Sequence, residues 1–168
     1  MHDTEILVGC NPQLLPQQPD VLISESTYGG TVRPQRSELI DQMYAEISYT
    51  LKHRGNVLIP TFAFHRSQEM AKRIDQAIES GLLPKRNVYM LSKLANKITE
   101  IFNGYSPLFK QQSQKRAKPF EYKHVQEIEQ TTDIEEPAIV ICTPGFGNAG
   151  ASLSLLNKWA EVRRTRLL

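Results

Sequence analysis

Four apolar runs in this chain end in residues able to do chemistry. The first, Asp20-Val-Leu-Ile-Ser24, runs into Glu25, Ser26, Thr27, Tyr28, Gly29 and Gly30. The second, Asn56-Val-Leu-Ile-Pro60, runs into Thr61, Phe62, Ala63, Phe64, His65 and Arg66. The third ends at Leu91 and continues as Ser92, Lys93, Leu94 and Ala95. The fourth, Ala138-Ile-Val-Ile-Cys142, opens onto Thr143-Pro-Gly-Phe-Gly-Asn-Ala-Gly150. Hydroxyls, charges and glycines thus stand where buried strands would meet turns. In open parallel sheets that edge, the carboxyl ends of the strands, is where ligands bind.

Several chemistries can be weighed at these loops. The glycine-rich stretch could present backbone N–H groups to a phosphate at a helix start. It lacks the Gly-Lys-Ser/Thr of a P-loop. It does contain Gly145, Gly147 and Gly150 in G-x-G-x-x-G spacing, but a dinucleotide site needs an acid about 20 residues on, after a second strand. The alternative is a tight turn that requires glycine sterically. Arg66 can clamp a phosphate or pair with a carboxylate such as Glu69. His2, His53, His65 and His124 are scattered, with neither H-x-H nor H-E-x-x-H spacing, so histidine spacing argues no metal site. No G-x-S-x-G elbow marks a nucleophilic serine.

The elements that must hold these loops follow from periodicity. Leu39, Ile40, Met43, Tyr44, Ile47 and Leu51 line one face of a helix between Pro34 and Arg54, with Gly55 as its stop. Met70, Ile74, Ala77 and Ile78 predict a second helix ending before Gly81. Leu94, Ile98, Ile101 and Phe102 predict a third ending at Gly104, and Leu155, Leu156, Trp159 and Val162 a last one. The runs "DVLIS", "NVLIP", "NVYML" and "AIVICT" do not alternate and read as strands buried on both faces. "PFEYKHV", Pro119 to Val125, alternates and reads as a further, less buried strand. "TEILVG" near the start reads as a strand followed by a proline-rich connector, and Gln111 to Lys118 as a loop or helix end. Strands alternating with helices predict an α/β fold with three layers, a mainly parallel β-sheet flanked by helices, Rossmann-like in outline. All four loops would then share one rim.

The bulk properties set wide bounds. The chain has 168 residues, enough for one domain with a sizeable core, and a formal net charge of +2 that neither demands nor excludes a nucleic-acid partner. Basic residues gather at Lys115 to Lys118 and at Arg163, Arg164 and Arg166, a pattern that more often marks a solvated face. Two cysteines, Cys10 and Cys142, form no disulfide framework, which points to a reducing cytoplasm. No apolar run approaches the roughly 20 residues of a membrane span, and no signal peptide is expected.

Taken in order, "PDVLISESTYGG", "GNVLIPTFAFHRSQEM", "VYMLSKLANKITEIF" and "IVICTPGFGNAGASLSLL" resemble the β-CASP region of metallo-β-lactamase-fold nucleases. That family includes the pre-mRNA 3′-end cleavage endonuclease, archaeal relatives and ribonuclease J. The resemblance implies a β-CASP domain over residues 20–168, with residues 1–19 a connector or remnant of the metallo-β-lactamase domain. It implies that Glu25 is the acid that lies beside a two-zinc site, where it would accept a hydrogen bond from a metal-ligating histidine and fix its orientation. A turn-capping carboxylate is the alternative. It also implies substrate contacts for Ser26, Thr27, Tyr28, Thr61, Phe62, Arg66, Ser92, Lys93 and Gly145, with Arg66, Lys93 and the N–H groups near Gly145 facing the phosphate backbone.

The departures from the family pattern are specific. The H-x-H-x-D-H motif and two later histidines are absent. Asp3 stands near the place of a metal-bridging aspartate, but in a His-Asp rather than a Gly-Asp context, and the role is not carried over. His65 stands where glycine commonly precedes the arginine, and Phe146 where methionine is usual. The expectation is therefore a cap domain forming one wall of a nucleic-acid cleft, inactive alone, with no metal site of its own. Zinc and RNA, or single-stranded DNA, would belong to a parent phosphodiesterase. Alternatives are a non-catalytic RNA-binding or dimerisation module, or a free-standing nucleotide-binding domain. Self-association through an uncovered apolar face is expected as well.

Overall fold

The computed structural model describes residues 20–24, 26–27, 29–32, 34–105, 120–160 and 165–168. The order of elements is α1 (Arg36–Lys52), β1 (Val57–Pro60), α2 (Arg66–Glu79), β2 (Asn87–Leu91), α3 (Lys93–Gly104), β3 (Val125–Ile128), β4 (Ala138–Cys142), α4 (Gly150–Ala160) and β5 (Arg166–Leu167). The "TEILVG" strand, the connector over 1–19, Asp3 and the 111–118 loop lie outside the described residues.

Every strand pairing is parallel, in the order β3-β2-β4-β1-β5. The apolar runs of β1, β2 and β4 form its centre because each can bury both faces. On one face Val57, Ile59, Val88, Met90, Ile139 and Ile141 pack with Ile47 and Leu51 of α1, Ala71, Ile74 and Ala77 of α2, and Ala95 of α3. On the other, Leu58, Tyr89, Leu91, Val140 and Cys142 pack with Leu155 and Trp159 of α4. The three-layer α/β architecture expected from periodicity is therefore present. The chain leaves β1 across one face and β4 across the other. Since β1 and β4 are neighbours, their loops diverge from a topological switch point, the place where such sheets open a crevice.

Two strand expectations need correction. "DVLIS" forms no strand, and Val21, Leu22 and Ile23 are 77%, 72% and 93% exposed. Its composition matches that of β1, but a strand exists only by pairing, and the edges of this sheet are β3 and β5. "PFEYKHV" begins its ladder only at Val125 and continues to Ile128, beside β2. The cause is Asp75 on α2. Its buried carboxylate accepts the N–H groups of Lys123 at 2.8 Å and His124 at 2.6 Å, which holds that stretch away from strand geometry. Among the described residues no helix is long and apolar enough to cross a membrane.

Candidate functional site

The β1–α2 connection is folded tightly onto the helix it enters. Thr61 N–H donates to the Cys142 carbonyl at 2.8 Å, extending the β1–β4 ladder by one residue. Ser67 donates to the Phe62 carbonyl from both its backbone N–H, at 3.2 Å, and its hydroxyl, at 2.9 Å. With that proton committed, the Ser67 hydroxyl is left to accept from Thr61 Oγ1, 2.9 Å away. Arg66 N–H donates to the Phe64 carbonyl at 2.8 Å, closing a three-residue γ-turn centred on His65 at φ 65°, ψ −47°. That left-handed form is strained for a residue with a side chain and natural for glycine. Gln68 then ties the connection to α3, donating to Ala63 O at 3.1 Å and Ala95 O at 3.0 Å.

The other two loops close on this one. Ser92 caps α3, its Oγ accepting from Ala95 N–H at 3.2 Å and from Thr143 Oγ1 at 2.9 Å. Gly145 lies flat against the β1–α2 connection. A Cβ there would sit 3.0 Å from the Thr61 carbonyl carbon and 3.1 Å from Phe62 N. The glycine is required by this close approach of two backbones. The Phe62 and Phe146 rings meet edge to face, with centroids 5.2 Å apart and planes at 88°. Gly145→Ala is accordingly expected to lower stability by about 1–3 kcal/mol through overpacking against backbone that cannot yield cheaply. A thermal melt equal to that of the parent chain would refute the close approach.

Beside this junction sits a cluster of charge. The Glu69 side chain is buried and is held by Arg36, by Arg66 at 2.8 Å and by Arg73 at 3.5 Å. Burial pushes its carboxyl up, but Arg36, Arg73 and Arg66 outweigh burial and hold it below the usual carboxylate range. Three guanidinium groups meet one carboxylate here, and the Arg36 and Arg66 side chains still reach solvent. Burial also lowers the His65 imidazole, against the pull of Glu69 and with the help of Arg66 and Arg36. Its Nε2 is buried without a hydrogen-bond partner.

The structure thus brings Thr61, Phe62, Arg66, Ser92 and Gly145 to one rim. Lys93 opens α3 on the same edge and pairs with Glu129 at 3.0 Å. Ser26 and Thr27 are exposed in a turn closed by Gly29 N–H on the Ser26 carbonyl at 3.0 Å, on a segment that joins no strand of this sheet. Three of the four loops therefore share the edge rather than all four. Glu25 and Tyr28 lie outside the described residues. Arg36 escapes sequence reasoning because it meets Glu69 across 33 positions, whereas Arg66 and Arg73 stand at helical spacing from it. The Cys142 thiol is buried and pushed up to about 12, so it is no nucleophile at neutral pH. Among the described residues no three His, Cys, Asp or Glu side chains come together as a group that could hold a metal ion.

Comparison with known proteins matches residues 67–168 to the Beta-Casp domain. Endoribonuclease YSH1 of Candida albicans is 34% identical over 155 residues, covering 86% of this chain and 18% of that protein. Integrator complex subunit 11 of Danio rerio is 32% identical over 155 residues, covering 90% and 26%. Cleavage and polyadenylation specificity factor subunit 3 of Dictyostelium discoideum is 29% identical over 159 residues, covering 91% and 20%. The chain spans about a quarter or less of the length of these relatives. With its parallel sheet, its α/β layering and this match over more than half its length, the chain belongs to the Beta-Casp domain family.

Proposed function

We propose that this chain is the β-CASP wall of an RNA-processing nuclease of metallo-β-lactamase fold, and that its rim guides the substrate's phosphate backbone. One observation carries the reading: the three loops at the switch point close beside two arginines, Arg36 and Arg66, whose side chains reach solvent. Guanidinium groups that reach solvent beside a crevice are what a phosphate chain binds. The names of the relatives, an endoribonuclease and a cleavage factor subunit among them, fit the same substrate class. Zinc, as the resemblance implies, would be held by ligands beyond the described residues. The exposed Val21-Leu22-Ile23 run suits a strand that finds its partners in an adjoining metallo-β-lactamase domain. Glu25, two residues on, would then stand at that junction.

The test uses end-labelled single-stranded RNA. The chain alone, with zinc present, is expected to bind and not to cleave. Binding should weaken as salt rises, and Arg66→Gln should reduce the slope of log affinity against log salt by about one. Cleavage that survives re-purification would overturn the wall reading. Tight binding of a mononucleotide with no gain for longer strands would favour a nucleotide-binding domain instead.

A further inference from the structure

Among the described residues Trp159, Tyr89 and Phe120 are buried, and the exposed Phe64 ring leans on Phe102, which leads to Phe120. Phe62 and Phe146 pair with each other instead. They touch each other edge to face yet remain 53% and 76% exposed. They stand on the two connections that leave the switch point, and their backbones are locked together by the Gly145 approach to Thr61 and Phe62. The pair is therefore rigid at its base and open at its faces.

Exposed phenyl rings would suit a protein partner as well, so the charge beside them decides. Phe62 also shares its connection with Arg66, whose side chain is half exposed, so an aromatic face and a guanidinium group stand on one short segment. Basic residues interleaved with aromatic faces match a single nucleic-acid strand, in which phosphates alternate with bases. We infer that Phe62 and Phe146 form a stacking platform for one base of a single-stranded RNA whose phosphates engage Arg66 and Arg36. The inference rests on the rim's being the nucleic-acid wall proposed above. Because every base has a π-face, the platform gives affinity without sequence preference. Phe146, standing where the family usually carries methionine, makes it a feature of this chain.

The experiment titrates the 168-residue chain into single-stranded RNA carrying 2-aminopurine, and repeats this with Phe62→Leu, Phe146→Leu, Phe146→Met and Arg66→Gln. Leucine and methionine keep apolar bulk and remove the ring, and both positions are exposed enough for the fold to persist, which circular dichroism verifies. Wild type is expected to change the 2-aminopurine emission on binding. Each ring-removing variant should lose that change and bind about tenfold more weakly, with its salt slope unaltered. Arg66→Gln should lower the slope and keep the emission change. Ring-removing variants that bind RNA as wild type does would overturn the platform and leave the phosphate reading standing. Variants that alter sedimentation but not RNA affinity would also overturn it, making the pair a protein contact. A wild-type chain with no salt-dependent RNA binding would remove both readings.

Discussion

Glu69→Ala is expected to lower the unfolding free energy by about 2–4 kcal/mol, read as a drop in the urea midpoint at unchanged slope. Removing one member of a buried charge cluster leaves the others uncompensated. Here the guanidinium groups of Arg36, Arg66 and Arg73 would face one another without the carboxylate between them. Arg36 and Arg66 can turn toward water, which keeps the loss below that of a fully enclosed pair. Acid should tell the same story. The folded carboxyl of Glu69 is held below its unfolded value, so its contribution is complete above about pH 4.3 and disappears as pH falls through the folded value. His65 adds a second, earlier loss. Its folded imidazole resists protonation, so the unfolded chain gains protons first as pH falls below about 6.5. Glu69→Ala should abolish the lower of the two losses. Glu69→Gln, which keeps the shape and removes the charge, should bind RNA more tightly than wild type while melting earlier. Equal urea midpoints for wild type and Glu69→Ala would show that the cluster is a surface arrangement with no hold on the fold.

Trp159→Ala should be at least as damaging, by about 3–5 kcal/mol. Its side chain is almost wholly buried, and α4 is the helix that covers Leu58, Tyr89 and Val140 among the described residues. The indole has a polar role too. Its Nε1–H donates to Glu136 Oε1 at 2.9 Å, an oxygen that Lys158 Nζ also reaches at 2.7 Å. Asn56 Nδ2 donates to the other Glu136 oxygen at 2.9 Å, and Asn56 Oδ1 accepts the Ala138 N–H at 3.0 Å. The ring therefore joins α4 to the starts of β1 and β4. Trp159→Phe, which retains much of the apolar area and forfeits the hydrogen bond, should cost less than half as much. Loosening α4 should also release the Thr143–Ala149 loop that leads into it, so the Ala variant should lose 2-aminopurine stacking at temperatures where its strands remain protected from hydrogen exchange. A Trp159→Ala melt within about 1 kcal/mol of wild type would contradict the packing of that face.

Periodicity alone placed α1, α2, α3 and α4, because each buries one stripe against a sheet and the stripe is written at helical spacing. Composition alone placed β1, β2 and β4, whose continuous apolar runs suit strands buried on both sides. From those two facts came the parallel sheet, its rim, and Thr61, Phe62, Arg66, Ser92 and Gly145 on that rim. The sequence could not show that "DVLIS" is no strand here, because its letters match those of β1 and the difference is whether a neighbouring strand exists to pair with. Nor could it show that β3 begins at Val125, since the carboxylate responsible, Asp75, stands 48 positions before Lys123. Arg36 reaches Glu69 across 33 positions, and Phe62 meets Phe146 only because β1 and β4 are neighbours. A local window determines which segments are apolar and at what period. Which segments become neighbours depends on the strand order of the folded sheet, and the charge cluster and the aromatic pair are products of that tertiary arrangement.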